Sequence, residues 1–146
     1  MEIVGTVSSL LSDKNPHIWT IKPDATVYEA IALMADKNIG AVPVVDRGKL
    51  LGMFSERDYT RKVILKGRAS DSTRVEEIMT PRVVCVNPRT GTRECMQLMT
   101  EKQIRHLPVV EDGRPVGMVS IRDIVGDIIA DQDFTIEQLE HYISGQ

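Results

Sequence analysis

Apolar positions along this chain alternate between two periods, and they do so twice in the same order. Val27, Ala30, Ile31 and Met34 are spaced to fall on one helical face. Thr26 followed three residues later by Glu29 makes a capping box at the start of that helix. Two short apolar runs come next, at 42–45 and 50–54, parted by Asp46-Arg47-Gly48, which predicts a hairpin. A closing helix is expected over about 56–65. Ahead of all this, Trp19-Thr20-Ile21-Lys22 is a short β-rich stretch that stops at Pro23.

The second half of the chain repeats the first. Shifted by 65 residues, positions 21–64 fall on 86–129 without a gap. There are 16 identities in 44 pairs, where chance would give roughly two or three. The later strand is 83–86, before Pro88; the helix carries Thr92, Cys95, Met96 and Met99 behind Gly91, a weaker cap. The second hairpin joins 107–110 to 116–119 through Asp112-Gly113, and a last helix covers about 121–130. Each copy therefore predicts a three-stranded sheet with two helices and one sheet face left to bury. Packing the two sheets together about a pseudo-twofold axis buries both faces and creates two equivalent clefts. The polar stretch 67–74 reads as a linker, giving a first unit over 1–66 with an N-terminal extension, a second over 75–131 and a helical tail over 132–146. In that tail Ile136, Leu139, Tyr142 and Ile143 are spaced helically.

Composition narrows the function more than the fold. The 146 residues carry 18 Lys and Arg against 21 Asp and Glu, a net charge of −3, with 42% hydrophobic and 27% charged residues. That is an ordinary globular mixture, and its mild acidity argues against nucleic-acid binding. No apolar run reaches the roughly 18 residues of a membrane span, and the first residues carry no basic stretch ahead of an apolar one, so a cytoplasmic location is expected. Cys85 and Cys95 are too few for a disulfide framework and are expected to be buried structural thiols. His17, His106 and His141 are scattered, which leaves no zinc spacing. Phosphate-loop, dinucleotide, hydrolase and metalloprotease motifs are absent as well, so no catalytic site is expected.

The recurring polar signal is Ser55-Glu56-Arg57-Asp58 and Ser120-Ile121-Arg122-Asp123, each where a strand hands over to a helix. Serine and aspartate at this spacing form a capping box and need do nothing more. A carboxylate there, beside a hydroxyl and N–H groups, is also able to accept both hydroxyls of a ribose and attract phosphate. Gly52 and Gly117, three residues before each serine, leave space for the close approach of a ligand. Pro43 and Pro108 interrupt strand-like runs, which confines them to an edge or bulge. The approach to the first is Ile39-Gly40-Ala41-Val42 and to the second Ile104-Arg105-His106-Leu107, so one cleft is expected to be neutral and the other basic. Trp19 reads as core or as a wall of a base pocket, and Arg61, Lys62, Lys66 and Arg68 read as a solvated helix end.

These blocks, in this order and twice over, resemble a tandem pair of CBS domains (the cystathionine-β-synthase domain). The resemblance rests on 24–30, 39–45, 52–58, 75–81, 105–110 and 117–123, and covers about 4–130. It implies an α/β (α+β) fold of two pseudo-twofold related domains packed sheet to sheet. It also implies a regulatory module that binds AMP, ADP, ATP, NAD or S-adenosylmethionine as a ligand between the two copies. By that resemblance one cleft uses Lys14, His17, Ile18, Trp19, Ile39, Gly40, Ala41 and Pro43 with Ser120, Arg122 and Asp123. The other uses Thr80, Arg82, Val83, Val84, Arg105, His106, Leu107 and Pro108 with Ser55, Arg57 and Asp58. Asp58 and Asp123 would hold the ribose diol, the serines ribose or α-phosphate, and Arg105 and His106 phosphate. A helix-mediated homodimer and a separate effector protein are further implied. The competing class is an interaction module in which the clefts are vestigial.

Overall fold

A computed structural model of the chain describes residues 5–12 and 18–144. The elements run α1 (Val7–Ser12), α2 (Val27–Lys37), β1 (Ala41–Asp46), β2 (Lys49–Ser55), α3 (Glu56–Asp58), α4 (Val75–Ile78), α5 (Thr92–Lys102), β3 (His106–Glu111), β4 (Arg114–Ser120) and α6 (Ile121–Ser144). A π-helical stretch, Tyr59–Ile64, continues α3 directly.

Local chemistry explains most boundaries. Thr26 Oγ1 accepts the Glu29 N–H at 3.1 Å and so starts α2. Asn38 and Gln103 end α2 and α5 in the left-handed region, both at φ 54°. The hairpins turn through Arg47-Gly48 and Asp112-Gly113, with positive φ at both central positions, the combination whose twist matches paired strands. Just after each strand proline the register slips, between Val44 and Val45 and between Val109 and Val110. That bulge leaves Leu51 and Val116 without a cross-strand partner, and both side chains reach solvent.

The outer strand of each expected three-stranded sheet is reduced to one residue. Ile21 bridges Val44 and Val86 bridges Val109, both parallel. Ile21 N–H donates to the Pro43 carbonyl at 3.0 Å and Val45 N–H returns to the Ile21 carbonyl at 2.9 Å; the second copy repeats this at 3.0 and 2.8 Å. Pro23 and Pro88 follow two residues later and have no N–H with which to lengthen the ladder. The last helix and the expected tail prove continuous, a single α6 of 24 residues.

Each half borrows its cover from the segment preceding the other half. Residues 5–12 dock on the second copy: Val7 N–H donates to the Thr90 carbonyl, Ser8 N–H to Pro88, and Thr92 N–H to Gly5. The segment called a linker does the same for the first copy. Val27 N–H donates to Thr73, Tyr28 N–H to Ser70, and Val75 N–H to Ala25. The cores follow suit. One gathers Val27, Ala30, Met34, Val42, Val44, Phe54 and Val63 under Val75 and Ile78, the other Val86, Cys95, Met99, Leu107, Val109, Val119 and Ile124 under Val7 and Leu10.

One core position is mismatched between the copies. Thr92 is fully buried and its Oγ1 finds no hydrogen-bond partner among the described residues, whereas its counterpart Val27 is apolar and equally buried. Thr92→Val is expected to raise stability by about 1 kcal/mol, a shift of roughly 2–5 °C in the melting midpoint. A lower midpoint in thermal unfolding would show that the hydroxyl is satisfied after all.

Candidate functional site

The two Ser-x-x-Asp turns fold as capping frames. At the first, Asp58 Oδ2 accepts Ser55 N–H at 3.0 Å and the Ser55 hydroxyl at 3.1 Å, while Asp58 N–H donates to Ser55 Oγ at 3.2 Å. At the second, Ser120 N–H donates to Asp123 Oδ2 at 2.8 Å and Asp123 N–H to Ser120 Oγ at 3.2 Å. Strand geometry at Ser55, with φ −126° and ψ 165°, turns the serine so that its hydroxyl meets the third helical N–H. Glu56 N–H then donates to Gly40, and Ile121 N–H to Arg105, so each turn is tied to the approach of its own β-hairpin.

The halves meet around the first of these turns. Arg57 Nη1 donates at 2.9 Å to the carbonyl of Gln103, the residue that ends α5 in the other half. His106 lies against Gly40: a Cβ added there would stand 3.2 Å from the imidazole. Strands β2 and β4 are in contact across the same join. Thr80, carried in beside β2 by an antiparallel bridge to Met53, donates its hydroxyl to Asp58 Oδ1 at 3.2 Å. Thr80, Ser55 and Asp58, expected in one cleft, are therefore brought together, and Arg57 reaches toward Arg105 and His106.

Other expected site residues divide by burial. Arg82, Arg105, Arg57 and Arg122 are exposed, and Val83, Val84, Ile18, Ile39, Gly40, His106, Ser120 and Asp123 are half-buried. Ala41, Pro43, Leu107 and Pro108 are buried in the strands, with Leu107 at 0% exposure in the second core, so their side chains are not presented to a ligand. Lys14 and His17 lie outside the described residues. Trp19 is 38% exposed, and Lys37 Nζ sits 4.2 Å from its ring centroid, a cation on an aromatic face.

Four residues behave differently from their sequence expectation. Lys62 is not merely part of a solvated basic run: its Nζ pairs with Asp58 Oδ1 at 3.0 Å. The i,i+4 spacing of Asp58 and Lys62 was the available signal. Its counterpart in the second copy, by the 65-residue shift, is Asp127. Cys85 is exposed, not buried, because it lies outside the single bridging residue Val86; Cys95 is buried as expected. Desolvation raises both thiols above the ordinary cysteine range, with Glu94 adding to the effect at Cys95, so neither is an activated nucleophile. Gly52 serves packing: a Cβ would stand 2.7 Å from the Thr80 carbonyl and 2.8 Å from Met79 Sδ, so the space expected for a ligand holds the covering segment. At Gly117 the obstacle is the flexible end of Leu11, at 2.8 Å.

Among the described residues no group of three or more His, Cys, Asp or Glu is placed to hold a metal, and no helix is long and apolar enough to cross a membrane.

A family model described as the CBS domain matches residues 7–64 and 75–130. A mitochondrial CBS domain-containing protein of Arabidopsis thaliana is 39% identical over 150 residues, covering 96% of this chain and 72% of that protein. Among solved structures, a candidate signal-transduction protein with CBS domains from Burkholderia ambifaria is 50% identical with a TM-score of 0.84, over 88% of this chain and 96% of that one. A CBS domain pair solved in complex with 5′-methylthioadenosine and S-adenosyl-L-methionine is 28% identical with a TM-score of 0.78, over 88% and 98%.

The two glycines make a matched pair for measurement. Gly52→Ala is expected to cost about 1–3 kcal/mol, because rigid backbone must shift, and Gly117→Ala less, because a leucine rotamer can yield. Urea unfolding of both variants checks this; equal losses would mean that the covering segment at Thr80 is as yielding as Leu11.

Proposed function

The chain belongs to the CBS-domain family, carrying two copies of the domain along most of its length, and on that premise we propose a specific role for this regulatory CBS pair. It binds an adenosine-containing ligand in the clefts between its halves and passes the binding state to a partner protein. The observation that carries this is the retention, in both copies, of a carboxylate beside a serine hydroxyl and N–H groups at the strand-to-helix turn. Such a frame offers acceptors to a vicinal diol and donors to a phosphate. The ligand class is AMP, ADP, ATP, NAD or S-adenosylmethionine. Support for adenosyl chemistry comes from the similar pair solved with 5′-methylthioadenosine and S-adenosyl-L-methionine.

In this proposal Ser55, Arg57 and Asp58 act with Thr80, Arg82, Arg105 and His106 in a basic cleft. Ser120, Arg122 and Asp123 act with the 39–43 approach and Trp19 in a neutral one. The module works by binding, not by catalysis, in the cytoplasm and as a homodimer. A stripe on α6 supports the dimer: Val125, Ile129, Ile136 and Leu139 are 46–56% exposed at spacings that keep to one helical face. A second reading, an interaction module with vestigial clefts, is favoured by the number of protein donors already bound to Asp58.

Calorimetric titration with AMP separates the two. Asp58→Ala is expected to remove binding at the basic cleft and Asp123→Ala at the neutral one; unchanged stoichiometry in both variants rejects the assignment. Thermal unfolding with each ligand in turn adds a check, since saturation at roughly 100 times the dissociation constant stabilises by about 2.7 kcal/mol. No shift with any of them favours the vestigial reading. Gel filtration is expected to give the dimer mass, and a monomer at every concentration rules out the homodimer.

A further inference from the structure

Lys62 already occupies, from within the protein, one of the two equivalent carboxylates. Its Nζ lies 3.0 Å from Asp58 Oδ1 and donates to the Ile78 carbonyl at 3.1 Å and to Thr80 Oγ1 at 3.4 Å. Thr80 Oγ1 donates to that same carboxylate oxygen at 3.2 Å, and Oδ2 is taken by the Ser55 N–H and hydroxyl. A carboxylate has about four acceptor directions, and these four donors fill them. The Asp58 side chain is 12% exposed, so solvent reaches it only narrowly.

A sugar diol therefore reaches Asp58 only by displacing a donor. Thr80 is fixed by two backbone hydrogen bonds to Met53, at 2.8 and 2.9 Å, and the Ser55 donors belong to the turn itself. Lys62, at the end of four methylenes, is the partner free to move. Once displaced, its ammonium keeps the Ile78 carbonyl but has lost its anion, a loss that water offsets in part because the side chain is 42% exposed. A ligand that carries a phosphate on the far side of the same ribose restores an anion to it. A neutral nucleoside does not.

We propose that Lys62 is the specificity-determining residue of the Asp58 cleft, competing with the sugar for Asp58 and transferring to the phosphate of a 5′-phosphorylated adenosyl ligand. This rests on the reading above that Asp58 meets a ribose. At Asp123 the residue in the place of Lys62 is Asp127, so the same exchange with a lysine one turn along the helix is proposed for the Asp58 cleft alone.

The test uses the full chain with Asp123→Ala, so that only the Asp58 cleft reports, titrated calorimetrically with AMP and with adenosine. AMP is expected to bind about tenfold or more tighter than adenosine. Lys62→Met lowers that ratio severalfold, the remainder coming from Arg105 and His106, with adenosine binding at least as tightly as before, and Lys62→Arg retains the preference for AMP. A merely structural lysine would weaken both ligands alike. An unchanged ratio in Lys62→Met, with binding still abolished by Asp58→Ala, overturns the role of Lys62 and leaves the ribose reading intact. Binding to the unsubstituted chain but none with Asp123→Ala overturns the proposal for this cleft alone. Absence of binding to either protein removes the ribose reading and the inference with it.

Discussion

Everything in this molecule depends on a shortage of covering surface within each repeat. A two-stranded hairpin with one bridging residue and two helices still has an apolar face that it cannot bury by itself. The missing cover comes from the segment that precedes the other repeat. Val75 and Ile78 close the first core, and Val7 and Leu10 close the second. Each such side chain, almost fully buried, stabilises by about 1.5–3 kcal/mol relative to exposure. Because each cover belongs in sequence to one repeat and in space to the other, neither half loses structure without uncovering its neighbour. The close approach also explains why Gly52 and Gly117 recur at matching positions: a methyl group at either would meet the cover.

The same reciprocity makes the departures from symmetry informative. Both turns close on a serine and an aspartate three apart, yet one turn further along the helix the first copy carries Lys62 and the second Asp127. The first helix also passes into a π-helical stretch whose Val63 enters the core, while α6 continues as a regular helix with Ile124 buried. Arg57 is drawn to the Gln103 carbonyl across the join; Arg122, its counterpart, is exposed and makes no hydrogen bond among the described residues. Duplication supplied one frame, and the residues around it differ in charge. Two turns of matching geometry then have unequal surroundings.

Much of this was legible from residues alone, and for identifiable reasons. The repeat, the hairpin turns and the Thr26 cap depend on local rules: identity at fixed spacing, positive φ at Gly48 and Gly113, and a hydroxyl at the start of a helix. What failed depends on contacts distant in sequence. The outer strands shrink to Ile21 and Val86 because of where they dock, and Cys85 is exposed as a consequence. The stretch 67–74 looks polar enough for a free linker, yet its carbonyls at Ser70 and Thr73 cap the start of α2. Gly52 announced a close approach correctly, but no local signal says whether a ligand or Thr80 makes it. The capping frames at Asp58 and Asp123 were legible from their spacing, whereas the burial of Ala41 and Leu107 was not.

Occupancy at Asp58 bears directly on that covering arrangement. Lys62 ties the carboxylate to the Ile78 carbonyl, at the end of α4, and Thr80 ties it to the strand bridged to Met53. Both ties run into the segment that closes the first core and that leads on into the second repeat. A ligand shifts a conformational balance only by binding one arrangement more tightly than another. On the proposed reading the two arrangements at Asp58 differ in a concrete way: the carboxylate is bound either to its own lysine and the cover, or to a sugar. Removing Lys62 from Asp58 weakens a polar tie to α4 while leaving Val75 and Ile78 buried, so the cover stays but is held less firmly. Asp123 has Asp127 where Asp58 has Lys62, so this lysine-mediated tie is particular to the first copy. On the proposed reading, a ligand that takes Asp58 from Lys62 therefore acts on the segment that covers the first core and leads into the second repeat.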